Sequence, residues 1–332
     1  MKLSNIREIK NLSQERLAQS DVQRKIVVIY AALTLGLMAL TAAVSYVLDL
    51  QMENFGGLSN LSKRTMLSSI QSMLPFAQSL LTMCLDLGYL AAMLRIARGM
   101  YTSPQTLRLG FDRFWLQLRC SIFRGLILAG VLFASMYAGI IIFMLTPWSR
   151  AAVEIVTPLV SRMSVLNTGV VIDDATYVQL MEAMLPAFGI CGVLALAVGG
   201  PVTYSYRMVD YVVIDKPGFG AMRALRESKL MMRGNRRQLL KLDVQLWWYH
   251  LPTAAAMLVL YGDVLLPMLG VELPLSSDGA YFLFSGLYLA VSFALHYFLR
   301  NRAEVCYALA YEAVKPRENQ DNGVVLGNIF QM

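Results

Sequence analysis

Six apolar runs, each roughly 20 residues long, constrain this chain more than any motif in it. They are about Ile26–Leu48, Met73–Leu94, Gly125–Leu145, Met184–Tyr206, Val244–Gly262 and Ala280–Leu299. A helix rises 1.5 Å per residue, so about 20 residues cross about 30 Å of hydrocarbon. Charged residues make up only 15% of the chain, against about 25% in a soluble domain. The reading is an all-α polytopic membrane protein with six transmembrane helices. The fifth run differs from the rest: it holds His250 and Pro252 and is bounded by Asp243 and Asp263. It reads as a span or as a re-entrant helix. The first run is much longer than the 7–15-residue core of a signal peptide and is expected to stay as a span.

The distribution of charge orients the runs. Of the 29 Lys and Arg, only Lys63, Arg64, Arg150 and Arg162 fall in the alternate loops after runs one and three, and none falls after run five. The positive-inside rule then puts both termini in the cytoplasm of a bacterium, with the chain multi-pass in the cytoplasmic membrane. A net charge of +7 would suggest nucleic acid in a soluble protein. Here the cations flank spans, and no nucleic-acid partner is expected. Cys84, Cys120, Cys191 and Cys306 are scattered and suggest no disulfide framework.

The runs group in pairs. Before the first, third and fifth come SNIREIKNLSQERLAQSDVQRK (Ser4–Lys25), TSPQTLRLGFDRFWLQLRCSIFR (Thr102–Arg124) and GAMRALRESKLMMRGNRRQLLKLD (Gly220–Asp243). Each is a polar-to-basic helical segment leading into a hairpin of two spans. The expected organisation is one membrane domain over 1–314, built of parallel repeats 1–100, 101–215 and 216–314, with a flexible tail at 315–332. Three hairpins are each preceded by a cytoplasmic amphipathic helix. In the third such helix Ala221, Ala224, Leu225, Ser228, Met231 and Met232 share one side, and Arg223, Arg226, Glu227, Arg233 and Arg237 the other. With Lys229 and Arg236 these cations suit an anionic headgroup layer. Gly234-Asn235 should end the helix through a left-handed turn.

Thr203–Asp243, TYSYRMVDYVVIDKPGFGAMRALRESKLMMRGNRRQLLKLD, resembles a hallmark of the bacterial domain-of-unknown-function family nine-seven-five. The matching positions are a tyrosine-rich helix end, a short acidic turn, and then Ser228, Leu230, Met231 or Met232, Gly234 and Asn235. Arg7–Leu17 looks like the family's basic N-terminal helix, and Gly88–Gly99 like its second-span exit. The resemblance covers most of the chain to about Val314. The family is similar in plan to the membrane domain fused to some glycerophosphodiester phosphodiesterases, but no catalytic domain of that kind follows here. The resemblance implies membrane location and fold, and no activity.

No HExxH, P-loop, GxSxG or metal-spaced Cys/His cluster occurs in the sequence, and no cofactor is expected. Polar groups inside spans are costly and mark function or helix pairing. Asp86 lies nine residues before Arg95, and His250 nine after Lys241. Both therefore stand about 13 Å into their runs. His296 is nearer the end of its run, and Gln78 and Tyr204 add hydrogen-bonding groups. These five form a candidate intramembrane cluster, either a proton or cation relay or a set of interhelical hydrogen bonds. Gly199-Gly200-Pro201 should break the fourth span. Gly130, Ala134 and Ala138, and Cys191, Ala195 and Gly199, are spaced for close helix packing. Short helices are expected over Ala151–Met163 and after Asp173-Asp174.

The expected role is a non-enzymatic protein that organises lipid or a partner complex. Its expected partners are anionic lipids, with a second copy or another membrane protein as candidates. The alternative is a transporter, permease subunit or lipid translocator that uses the buried polar cluster. An intramembrane enzyme ranks last.

Overall fold

A computed structural model describes residues 6–20, 22–54, 61–150, 152–157, 174–262, 266 and 277–316. The regular elements among them are all helical. Five stretches are long and apolar enough to cross a membrane: Gln23–Met52, Leu61–Ala97, Phe114–Met144, Gln179–Asp215 and Gly279–Val314. They contain the first, second, third, fourth and sixth apolar runs, apart from Leu145. Of the expected helix over Ala151–Met163, residues 152–157 are helical; the rest lies outside the described residues, as does the tail from 317.

The chain divides into two compact units, one of Met1–Cys120 with Met208–Met332 and one of Ser121–Arg207. In the first, α1 (Ile6–Ala18) precedes α2 (Gln23–Asn54), which pairs with α3 (Leu61–Ala97). α3 has two characters along its length. From Leu61 to Leu81 most of its side chains are exposed, whereas Leu85, Leu87, Tyr89, Ala91, Ala92, Met93, Leu94 and Ile96 are all buried. Most sides of this half are buried, and neighbours from distant parts of the chain cover them. A 3₁₀ turn at Pro104–Arg108 and the short α4 (Leu109–Asp112) cross α3 at two glycines. A Cβ on Gly88 would overlap the Leu107 carbonyl, and one on Gly110 the Cys84 carbonyl. Glycine is needed at both because backbone meets backbone.

α3 ends in a left-handed cap. Gly99 has φ 70°, its N–H reaches the Ile96 carbonyl at 2.9 Å, and Met100 N–H reaches that of Arg95 at 2.9 Å. These bonds satisfy carbonyls that the helix end leaves open.

α5 (Phe114–Met144) starts in this unit and continues into the second. The second unit also holds α6 (Asp174–Leu194), a π-helical turn at Ala195–Gly199 and α7 (Gly200–Ser205). The expected break at Gly199-Gly200-Pro201 is this wide turn. Pro201 has no N–H for the carbonyl four residues back, and widening the preceding turn relieves the mismatch. Of the expected packing positions, Cys191 makes a close contact, against Gly139 and the Met136 carbonyl. Gly130 faces open space. Phe143, Ala152 and Ala187 form a small core there.

The first unit resumes with α8 (Val209–Asp215), α9 (Ala221–Met231), α10 (Arg236–Gln245) and α11 (Trp247–Leu260). The fifth apolar run is thus divided at Leu246 (φ −92°, ψ 20°). α11 has 14 residues, a rise of about 21 Å. It packs along α12 (Ser277–Leu295). A second π-helical turn, His296–Arg300, leads into α13 (Asn301–Val314), which lies against α3 and α1. Ala303 and Val305–Tyr311 on α13 are buried. The core of this unit therefore gathers around the C-terminal half of α3.

Candidate functional site

Asp86 stands on α3 where the exposed half gives way to the buried half. Its Oδ1 accepts a hydrogen bond from the Tyr30 hydroxyl of α2 and another from Arg300 Nη2 at 2.9 Å. The Arg300 guanidinium also lies over the Tyr30 ring at 4.8 Å and the Tyr89 ring at 5.3 Å. Those two rings are stacked with centroids 4.4 Å apart. Glu304 approaches Arg300 Nε at 3.8 Å. A carboxylate in an apolar helix needs a cationic or hydrogen-bonding partner, and Arg300 and Tyr30 supply both.

His296 joins from the start of the π turn. Its Nδ1 is 2.6 Å from the Ser292 carbonyl, and its Nε2 is 2.8 Å from Arg300 Nη1. A carbonyl can only accept and a guanidinium can only donate. The partners therefore fix His296 as the neutral tautomer, with Nδ1–H donating and Nε2 accepting. His296 and Arg300 stand four residues apart at the two ends of the wide turn and both reach the cluster; π turns recur at functional positions. A cleft of about 140 Å³ opens beside this pair, lined also by Thr253, Tyr288 and Ser292.

The sequence reading set His250 opposite Asp86. The structure gives His250 other partners: it is exposed on α11, its Nε2 lies 3.0 Å from the Tyr307 hydroxyl, and that hydroxyl donates to Asp243 Oδ1 at 2.6 Å. No hydrogen bond joins Asp86 to His250 among the described residues. Gln78 lies half-buried two turns before Asp86 on α3. Tyr204 belongs to the second unit, with Gly199, Gly200 and Pro201. The partners that sequence reasoning missed are Arg300, Tyr30 and Tyr89. A signal existed: an arginine one turn after His296, closing an apolar run, can reach back to an intramembrane carboxylate.

A second network ties the ends of α3, α8 and α13. Arg98 meets Asp215 at 2.7 Å and Glu312 at 2.5 Å. Lys315 reaches the other Asp215 oxygen at 2.5 Å, and Tyr311 donates to the same oxygen at 3.1 Å. Burial works against the charge on Arg98, but its hydrogen bonds to Asp215 and Glu312 outweigh it and hold the guanidinium more firmly protonated than in water. Arg113 donates to the Val213 and Ile214 carbonyls, which close α8.

The basic helix comes next. All six residues of its expected apolar side, Ala221, Ala224, Leu225, Ser228, Met231 and Met232, are buried within the protein. Arg223, Arg226, Lys229, Arg233 and Arg237 are exposed, and Arg236 is half-buried. Arg223 stacks over Phe219 at 4.0 Å. Gly234 takes φ 88°, and Asn235 Nδ2 donates to the Met231 carbonyl at 2.8 Å, so the Gly-Asn pair closes α9. Among the described residues, no three His, Cys, Asp or Glu side chains gather into a metal-holding group.

No curated protein and no solved structure matches the chain. The family described as "Protein of unknown function (DUF975)" matches residues 1–318. That match spans α1 through α13 and the Gly-Asn turn whose geometry has just been given, and the chain belongs to this family.

Proposed function

We propose that this is a six-pass protein of the bacterial cytoplasmic membrane, with the end that carries α1, α9 and the Arg98 network on the cytoplasmic side. Its role is non-enzymatic: it gathers anionic lipid, and through it a partner or second copy, around a rigid helical base. The observation that carries this reading is the burial pattern of α9. Most of its apolar side is used up against the protein body, so α9 turns Arg223, Arg226 and Lys229 outward beside Met222 and Leu230, and Arg233 and Arg237 stand exposed just after it. A basic row near a headgroup layer gains about 1 kcal/mol per cation. α11 and α12 form the third hairpin, with α11 supplying about 21 Å of the fifth span.

The test is the lipid shell. The chain is purified from membranes of mixed neutral and anionic phospholipid, and the co-purifying lipid is analysed. Wild type should be enriched in anionic lipid, and Arg223→Gln/Arg226→Gln/Lys229→Gln should lose most of that enrichment. Equal enrichment in both would remove α9 from the reading.

The cleft beside Arg300 and His296 favours a second reading, a transporter. Under it, Arg300→Gln abolishes uptake of a solute into proteoliposomes. Under the organising role it acts on stability alone.

A further inference from the structure

A cleft of about 250 Å³ lies between α1, α11 and α13, away from the Asp86 cluster. Its walls are Lys10, Ser13 and Gln14 of α1, Trp248 of α11, and Arg302 and Cys306 of α13. Two features suit it to an anion. First, it gathers cations from opposite ends of the chain. Arg98, Lys216, Arg300 and Lys315 each meet a carboxylate; Lys10 Nζ and the Arg302 guanidinium have no ion pair among the described residues. Second, none of its walls among those residues is acidic. Two unneutralised cations bracket one concavity, with the Gln14 amide between them in sequence and the Trp248 indole to donate or to cover an apolar neighbour.

The floor is fixed. Ser13 is buried, donates to the Lys10 carbonyl at 2.7 Å and accepts from the Cys306 thiol at 3.3 Å. α1 packs along α13 around this weak bond, so the cleft is preformed. The volume is below the roughly 300–1,000 Å³ of drug-sized pockets. It suits a compact anion with several acceptor oxygens, which Arg and Lys recognise together.

We propose that this cleft binds a phosphate group. The proposal deepens the lipid-organising reading and rests on it for one source, the phosphodiester of an anionic phospholipid; a free phosphate is the other source with the same chemistry. Bound there, one lipid would pin α1 to α13 and add a discrete site to the diffuse attraction of α9.

The experiment uses the full chain in neutral detergent. Native mass spectrometry counts retained phosphatidylglycerol, and calorimetric titration follows inorganic phosphate. The variants are Lys10→Gln/Arg302→Gln, Gln14→Glu, and the α9 triple glutamine variant. Wild type should hold one tightly bound phosphatidylglycerol. The double variant and Gln14→Glu should reduce its occupancy at least tenfold, while the α9 variant retains it. Phosphate titrating into the wild type but not the double variant would support the site with a soluble source. Occupancy that is unchanged in both cleft variants would overturn the proposal, as would neither probe binding wild type. Loss of bulk anionic enrichment in the α9 variant alone would keep the organising role while the cleft fails, so the two failures are separable. Lys10 is half-buried and Arg302 exposed; Gln14→Glu leaves both in place should the double variant not fold.

Discussion

The two halves of α3 belong to one continuous helix and live by different rules. Residues 61–81 mix apolar side chains with Ser, Thr, Gln, Lys63 and Arg64 and are mostly exposed, with Met66 at 65% and Phe76 at 67%. Residues 84–97 are equally helical, yet Leu87, Tyr89 and Met93 show no exposed surface. In the first half the apolar side chains face whatever surrounds the protein, and a bilayer suits them. In the second half, α4, α8 and α13 replace that surrounding medium. The second half is also the more apolar in sequence, but apolarity alone does not say whether protein or lipid covers it. The difference is made by glycines that admit backbone contacts and by charges that find partners.

Predictions can be ordered by how hard they press on this difference. Gly88→Ala or Gly110→Ala should be the most damaging, costing about 3 kcal/mol or more, because each new methyl meets a carbonyl. Gly130→Ala, which meets nothing within 4 Å, should leave the thermal midpoint in detergent unchanged. If all three behave alike, backbone contact is not what sets the buried half apart. Leu87→Ala should cost about 3 kcal/mol. Leu81→Ala, at a position 44% exposed, should cost far less, and denaturant titration in mixed micelles reads the pair. Arg300→Gln should cost about 2 kcal/mol; the Asp86 side chain is 38% exposed, and solvent softens the loss. Asp86→Asn should cost less again, since Tyr30 can still donate to the amide oxygen. The smallest effect belongs to Arg223→Gln/Arg226→Gln/Lys229→Gln, whose stability should stay within about 0.5 kcal/mol while the lipid shell changes.

Local signals in the sequence were enough for part of this. Five apolar runs lie almost wholly within long helices, and the side of α9 chosen from helical spacing is the side that is buried. The left-handed turn at Gly234 is equally local. What escaped was non-local. Asp86 needed a partner, and equal depth suggested His250, but depth along a helix says nothing about which helices are neighbours. The π turn at His296–Arg300 contains no proline or glycine, so no residue type announces it. No proline or glycine marks the division of the fifth run at Leu246, and hydropathy averages across it.

The pairing of Asp86 with Arg300 spans 214 residues, which turns a spatial contact into a matter of timing. At about 5–20 residues per second, the ribosome needs about 10–40 s to travel from one to the other. Tyr30 has already emerged when Asp86 is made, so the first helical pair can satisfy the carboxylate with a hydroxyl while it waits. The guanidinium then arrives last, and with it Glu312 for Arg98. The final helix thus acts as a latch on a bundle whose earlier parts must be tolerated half-finished. A chaperone or insertase has its longest opportunity to act in that interval.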